Sequence, residues 1–157
     1  MGVGWEWQPQ GLDSAFHNGR GRRMMFMLLA MLLCSAAASA QELRDRNYRL
    51  IGRIERDGTV RNEQYMMIGR FRPDGTIVDR TYMMVGKIGT DGVVRDRNYM
   101  MIGKVEADGT VKDRNYMFIG KIKSDGTVVD RSYMQIGRAK DVPARWAAIF
   151  FFFGLFR

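Results

Sequence analysis

Six copies of one tripeptide, spaced 17 residues apart, constrain this chain more than any other feature. In each copy a β-branched residue is followed by Gly and then by Arg or Lys, and the copies begin at Ile51, Ile68, Val85, Ile102, Ile119 and Ile136. A fixed short period indicates one small structural unit that buries its apolar face against neighbouring copies. The chain has 157 residues, which is enough for one domain of this kind.

The segment before the repeats has the pattern of a secretory signal peptide. Arg20, Arg22 and Arg23 precede ten apolar residues, and a run of small residues follows and ends at Ala40. This order predicts cleavage after Ala40, with residues 24–40 forming the hydrophobic and cleavage regions. Ten residues are half of what a transmembrane helix needs. Residues 1–23 form an N-terminal extension in which only the final arginines suit a signal peptide, as a misassigned start codon would produce.

Cleavage at this site removes most of the chemistry that the chain could offer. The only Cys, Cys34, and the only His, His17, both precede it. A mature chain that starts at Gln41 therefore has no thiolate nucleophile, no imidazole base and no Cys or His metal ligand. We expect neither an enzyme, nor a cofactor, nor a metal site.

The charge of the mature chain favours anionic partners. It keeps 22 Lys and Arg against 15 Asp and Glu, a net charge of +7. Lipopolysaccharide, anionic lipid and acidic glycan are the expected partners, because an exported protein rarely meets nucleic acid.

The repeat unit reads as two short strands joined by tight turns. In the copy from Tyr99 to Asn115, runs of Tyr, Met, Ile, Val and Thr are bounded by Arg-Asn and Asp-Gly pairs. Gly supplies the positive φ of the hairpin turn, and we expect Asn98 to supply it in the second turn. The sequence therefore predicts an all-β fold of tandem 17-residue β-hairpin repeats over residues 41–140.

Alternation along the longer strand predicts which residues share a face. Strict period two puts Tyr99, Met101, Gly103 and Val105 on one face, and Met100, Ile102, Lys104 and Glu106 on the other. Both faces are then apolar in their first half. This predicts a cover on both sides, by a second layer, by the interior of a ring or by another copy of the chain.

Two hairpin closures are compatible with the Asp-Gly pairs. A three-residue loop with a G1 bulge puts Val111 on the face of Val105 and Met101 and brings Glu106 close to Lys112. A two-residue closure by Asp-Gly alone is the alternative.

The ends of the array predict a closed ring. Residues 43–47 match the second half of a unit, and residues 133–138 match the first half. Their pairing would remove both sheet edges, as in flower-like or propeller-like radial folds. The mid-strand Gly of each unit, as in Gly103, then suggests crowding near a common axis.

Tandem 17-residue units with Tyr, Ile-Gly-Lys or Ile-Gly-Arg and Asp-Gly-Thr, behind a signal peptide, resemble the secreted bacterial five-fold β-flower proteins. The resemblance covers residues 41–140. It implies a radial β arrangement and no assigned activity. The chain shows six long-strand motifs and five Asp-Gly turns, so the resemblance leaves five-fold and six-fold closure open.

Residues 141–157 form a hydrophobic aromatic tail without the repeat. Three interpretations are open: a plug or last strand against the ring, a membrane-surface contact, or a docking segment for a partner. All three interpretations depend on the same aromatic residues, which are Trp146, Phe150, Phe151, Phe152 and Phe153.

Several residue series are candidate sites. The cation after each Gly predicts a ring that binds an anion, unless it pairs with acids of the adjacent short strand such as Asp96 or Asp113. The members of this cation circle are Arg53, Arg70, Lys87, Lys104, Lys121 and Arg138. A second circle would comprise Arg46, Arg80, Arg97, Arg114 and Arg131.

The tyrosines form a candidate aromatic ring, for which turn or core packing is the favoured interpretation. They are Tyr48, Tyr65, Tyr82, Tyr99, Tyr116 and Tyr133. Paired methionines could bind Cu(I), but adjacent residues of a strand face opposite sides, so gap-filling is favoured.

The sequence thus predicts an exported, non-catalytic β-repeat protein that serves as a structural or interaction component of a bacterial envelope. It would be periplasmic, associated with the outer membrane, or secreted. The alternative is a binding module that holds an anionic lipid or glycan through the basic or tyrosine ring.

Overall fold

Short strands follow one another along the repeats, each separated from the next by a tight turn. The computed structural model describes residues 41–156, so the predicted signal peptide and the N-terminal extension lie outside the described residues. The strands are β1 (Gln41–Asp45), β2 (Leu50–Ile54), β3 (Thr59–Asn62), β4 (Met67–Phe71), β5 (Thr76–Asp79), β6 (Met84–Ile88), β7 (Val93–Asp96), β8 (Met101–Val105), β9 (Thr110–Asp113), β10 (Phe118–Ile122), β11 (Thr127–Asp130) and β12 (Gln135–Lys140).

Every strand pairs antiparallel with its two neighbours, and β1 pairs with β12 to close the barrel. At this seam Gly137 lies opposite Asp45, just as Gly120 lies opposite Asp130 within a unit. The predicted all-β radial closure is confirmed, and the two half-units form a sixth unit. Because the pairing runs around the whole barrel, none of the twelve described strands forms an open sheet edge.

The Asp-Gly turns close by the three-residue loop with a G1 bulge. In the first of them the N–H of Gly58 donates to the carbonyl of Glu55, and the N–H of Glu55 donates to the carbonyl of Thr59. Gly58 has φ 85°, as the bulge position requires. Val105 pairs with Val111, and Lys112 lies 2.8 Å from Glu106, so these two parts of the predicted geometry are confirmed.

The second turn is present, but the residue in the left-handed conformation is Tyr, not Asn. Each of the six tyrosines has φ between 60° and 63°. In one such turn the Asp96 carboxylate accepts hydrogen bonds from the N–H groups of Asn98 and Met100. The expectation for Asn98 was wrong because the aspartate caps the turn and moves the left-handed position one residue on.

A β-bulge in each long strand changes the predicted faces. Val94 pairs with Gly103 and Arg95 with Met101, so Ile102 has no partner of its own. Two adjacent residues of a bulged strand oppose one residue of the partner strand. Ile102 and Gly103 therefore both face the interior, whereas Met101 and Lys104 face outward. Strict alternation was wrong for the first half of the strand, and the apolar face is single.

The tail continues from β12 into the interior of the barrel. A short helix, α1 (Ala144–Ala148), is followed by a π-helical turn, Ile149–Phe153. The indole of Trp146 stacks on Phe71 with 4.9 Å between ring centroids. Ala147, Ala148 and Ile149 are fully buried. Among the described residues no helix is long and apolar enough to cross a membrane.

Each mid-strand glycine contacts one apolar side chain of the tail. The contacts join Gly52 to Phe150, Gly137 to Phe151, Gly120 to Phe152, Gly103 to Phe153, Gly86 to Leu155 and Gly69 to Phe156. A β-carbon on these glycines would collide with the tail or with the carbonyl of the paired strand. The glycines thus leave room for the six side chains that fill the lumen.

The mid-strand glycines differ in how closely other atoms would approach an added β-carbon. This difference predicts how much a substitution by alanine destabilises the protein at each position. A β-carbon on Gly69 would lie 2.5 Å from Phe156 Cδ1 and 2.5 Å from the Val78 carbonyl oxygen. On Gly52 it would lie 2.9 Å from the Arg61 carbonyl oxygen and 3.2 Å from Phe150 Cζ. Overpacking costs about 1–3 kcal/mol, whereas replacing a strand Gly by Ala regains about 0.5–1 kcal/mol.

We therefore expect Gly69→Ala to lower the free energy of unfolding clearly, and Gly52→Ala to lower it less, because its shortest contact is longer but still involves a backbone oxygen. Urea unfolding of the two variants and the parent protein measures both effects. Equal effects of the two substitutions would contradict the packing described.

Truncation tests the role of the tail as a whole. Removal of residues 144–157 empties the lumen, so we expect the chain to lose cooperative unfolding and its dispersed amide NMR spectrum. The single substitution Phe152→Ala is a milder test, and we expect it to lower the free energy of unfolding by about 3–5 kcal/mol. A truncated chain that unfolds at the parent's urea midpoint would show that the tail is not part of the folded core.

Candidate functional site

The cation circle lies on the outer wall of the barrel, one residue past each mid-strand glycine. Arg70 pairs in register with Thr59 of the preceding unit, and this brings its guanidinium 2.6 Å from Asp57 in the adjacent Asp-Gly turn. Lys121 reaches Asp108 in the same way, at 2.7 Å. At the seam Arg53 pairs in register with Glu42, which takes the position of Thr59, and Arg53 Nη2 lies 3.4 Å from Glu42 Oε1.

The expected partners Asp96 and Asp113 were wrong. Their carboxylates accept hydrogen bonds from backbone N–H groups in the second turn, whereas Arg70 and Lys121 pair with aspartates of the Asp-Gly turns. An exposed ion pair of this kind contributes only ~0–1 kcal/mol. Anion binding by the circle stays a prediction.

Four aspartates of the Asp-Gly turns have a lowered pKa, which favours their charged form; they are Asp57, Asp74, Asp108 and Asp125. The pKa of Asp57 is lowered mainly by the Thr59 N–H, with further contributions from the Thr59 hydroxyl and Arg70. The pKa of Asp108 is lowered most, first by Lys121 and then by the Thr110 N–H and hydroxyl. A carboxylate that accepts several hydrogen bonds resists protonation.

The tyrosines and the following methionines form the opposite end of the barrel. We call this end the tyrosine rim and define it by Tyr48, Tyr65, Met66, Tyr82, Met83, Tyr99, Met100, Tyr116, Met117, Tyr133 and Met134. All eleven side chains are exposed. Since a folded chain seldom leaves so many large apolar side chains in one exposed group, this rim is the strongest candidate for a contact surface.

Three of the six tyrosine side chains contact the outer wall of the preceding unit. Arg53 lies 4.7 Å from the centre of the Tyr65 ring, and Tyr133 stacks on Phe118 at 5.2 Å. Tyr82 contacts Met67 through its hydroxyl. These three side chains are therefore packed on one side and accessible on the other, which fits the favoured interpretation of turn packing; ligand binding by the six tyrosines stays a prediction.

The second arginine circle lies in the turns of the same rim. Its side chains are exposed, next to half-buried aspartates that cap the turns, such as Asp79 and Asp130. The pKa of Asp79 is lowered, first by its hydrogen bond from the Thr81 hydroxyl. The rim thus combines exposed cations with carboxylates that are already satisfied by the backbone.

A groove of about 880 Å³ lies beside the seam at the Asp-Gly end. It forms where a sixth Asp-Gly turn would stand, because the chain here continues from Lys140 into the tail. Its lining mixes acids and bases, among them Asp108, Lys123, Asp125 and Arg138. Across residues 41–156 no group of three or more metal-ligating side chains is present.

The described part of the chain includes two features that the sequence reasoning missed. One is the aspartate or asparagine three residues before each Tyr, which caps the second turn; its fixed position in every copy was the available signal. The other is the match between six glycines and six apolar tail residues, for which the sequence offers no count, because the tail contains further apolar residues such as Trp146 and Ile149.

The lowered pKa of Asp108 predicts a pH dependence of stability. Since the folded pKa lies below the unfolded value of 3.8, the stabilisation is complete above that value and is lost as the pH falls towards the folded pKa. We expect Asp108→Asn to lower stability at neutral pH and to match the parent protein in strong acid. Urea unfolding across this pH range measures the difference, with Glu63→Gln at the other rim as the charge control; a pH-independent difference would contradict the assignment.

Comparison with known proteins gives one match. The family described as 5-fold beta-flower protein matches residues 40–155, which include all twelve strands and nearly all of the tail. No curated protein and no solved structure matches the chain. The described barrel has six units, one of them closed by the chain ends, against the five of the family description. Because this match covers most of the chain, the chain belongs to the 5-fold beta-flower protein family.

Proposed function

We propose that the protein is an exported, non-catalytic interaction component of a bacterial envelope. The observation that supports this best is the tyrosine rim, where eleven large apolar side chains stay exposed at one end of a barrel whose core is otherwise filled. Exposed apolar groups of this size are typical of surfaces that contact a partner. The rigid, closed wall would hold such a surface in a fixed shape.

The chemistry of the described residues agrees with a binding role. Residues 41–156 contain no Cys and no His. The lowered carboxyl pKa values belong to five aspartates that accept hydrogen bonds in turns and to Glu42, whose pKa is lowered first by its hydrogen bond from Arg44. None of these carboxyl groups combines burial with a raised pKa, which is the combination expected of a general acid.

A second candidate function is the binding of an anionic lipid or glycan by the cation circle. The outward position of the six cations supports it, and the ion pairs of Arg70 and Lys121 with turn aspartates weigh against it. Each such pair would have to open before the cation could contact a ligand anion.

Export can be tested by expressing the full chain with its own leader in a Gram-negative host. We expect a mature protein that begins at Gln41, identified by intact mass, in the periplasmic or outer-membrane fraction. A variant with Ala38→Arg and Ala40→Arg is the matched control, because a cleavage site needs small residues at these positions. A full-length chain in the cytosolic fraction would overturn the proposal.

A further inference from the structure

Charge is distributed in three layers along the barrel axis. The Asp-Gly end is acidic, because it carries eight acidic residues and five basic ones. The acidic residues are Glu55, Asp57, Asp74, Asp91, Glu106, Asp108, Asp125 and Asp141. The basic residues are Arg56, Arg72, Lys123, Lys140 and Arg145. The outer wall is basic, since the cation circle is joined there by Arg44, Arg61, Arg95 and Lys112 and opposed by Glu42. The tyrosine rim carries six charges of each sign; all six arginines are exposed, whereas five of the six acids are half-buried aspartates and only Glu63 is an exposed acid among the described residues of the rim.

The order of these layers determines which side chains and charges an approaching surface meets at the tyrosine rim. The basic wall lies directly behind the tyrosines, because Arg61 donates a hydrogen bond from Nη1 to the Tyr65 carbonyl oxygen at 3.1 Å, and Arg44 does the same to Tyr48 at 2.8 Å. An anionic surface in contact with the rim therefore meets apolar side chains first and positive charge immediately behind them. The acidic end stays farthest away.

We propose that the tyrosine rim docks on the surface of an anionic lipid bilayer, with methionines and tyrosines in the interfacial layer and arginines on lipid phosphates. This inference rests on the proposed function, because export places the protein beside such surfaces. Tyr is favoured at membrane interfaces, where its ring is apolar and its hydroxyl is hydrated. Each Arg near an anionic leaflet adds to the attraction.

The side chains of the rim fit a bilayer better than a second copy or a glycan. In a rim-to-rim dimer the exposed arginines of both copies would face each other, which disfavours the contact. Sugars stack on free aromatic faces, and here one face is already covered in Tyr65 and Tyr133. The thioethers of the methionines offer a sugar hydroxyl only a weak acceptor.

The test uses the mature chain, residues 41–157, and sedimentation with vesicles of phosphatidylcholine alone or mixed with phosphatidylglycerol. One variant replaces Arg80, Arg97 and Arg114 with Gln, and a second replaces Met83, Met100 and Met117 with Ser. The three methionines are 67%, 66% and 64% exposed, so their replacement leaves the core intact. The matched control replaces Arg56, Arg72 and Lys123 with Gln at the acidic end, with the same change in net charge.

We expect the parent protein to bind the anionic vesicles and not the neutral ones, with an affinity that falls at high salt. The arginine variant is expected to bind about a hundredfold more weakly, and the methionine variant about tenfold or more. The control should stay within about twofold, because a barrel about 15 Å high exceeds the Debye length of about 8 Å.

Four results would overturn the proposal. The parent protein fails to bind anionic vesicles, or both rim variants bind as the parent does. Alternatively, a variant with Lys87→Gln, Lys104→Gln and Lys121→Gln abolishes binding while the rim variants keep it, which would assign the site to the cation circle. A parent dimer that both rim variants convert to monomers, without vesicle binding, would assign the rim to a second copy. None of these results depends on where the chain is exported, so the export experiment fails or succeeds separately.

Discussion

The contact between six mid-strand glycines and six apolar side chains of the tail is the interaction on which the rest of this barrel depends. Eight strands make a barrel whose wall side chains can fill the interior, and sixteen leave an open channel. Twelve strands lie between these sizes, so additional side chains are needed to fill the lumen. The tail supplies these additional side chains, and the mid-strand glycines leave space for them because glycine has no β-carbon.

The π-helical turn is explained by the same contact. Four successive units around the barrel are contacted by four successive residues, Phe150, Phe151, Phe152 and Phe153. Since the barrel has six units, the chain must rotate by about one sixth of a circle per residue. An α-helix turns by about 100° per residue and would skip units. The wider π-helix turns less per residue, and Gly154, at φ 59°, ends the turn before Leu155 and Phe156 reach the last two units.

Much of the fold could be predicted from the sequence, because the 17-residue period and the Asp-Gly pairs report on local structure. The complementary half-units likewise predicted the closure between β1 and β12. The bulge at Ile102 could not be predicted, because its cause is the need to place both Ile102 and Gly103 inside, which only the closed ring imposes. The left-handed tyrosines were missed for a similar reason: Asp96 fixes the turn through backbone N–H groups that composition does not reveal.

The candidate site was less predictable than the fold. The cation and tyrosine series were visible as residues, but the sequence could not show that Arg70 and Lys121 are paired across units. Nor could it show that the methionines directly after five of the tyrosines stay exposed, while Met67, Met84 and Met101, each one residue later, are half-buried. The separation of acidic end, basic wall and tyrosine rim follows from the antiparallel order, which gathers alternate turns at opposite ends.

The most direct measurement of the central contact is the nuclear Overhauser effect between glycine α-protons and phenylalanine ring protons in the mature protein. We predict cross-peaks from Gly103 to Phe153, from Gly120 to Phe152 and from Gly137 to Phe151, each to its own ring. Phenylalanine signals at random-coil positions without cross-peaks to these glycines would contradict the account.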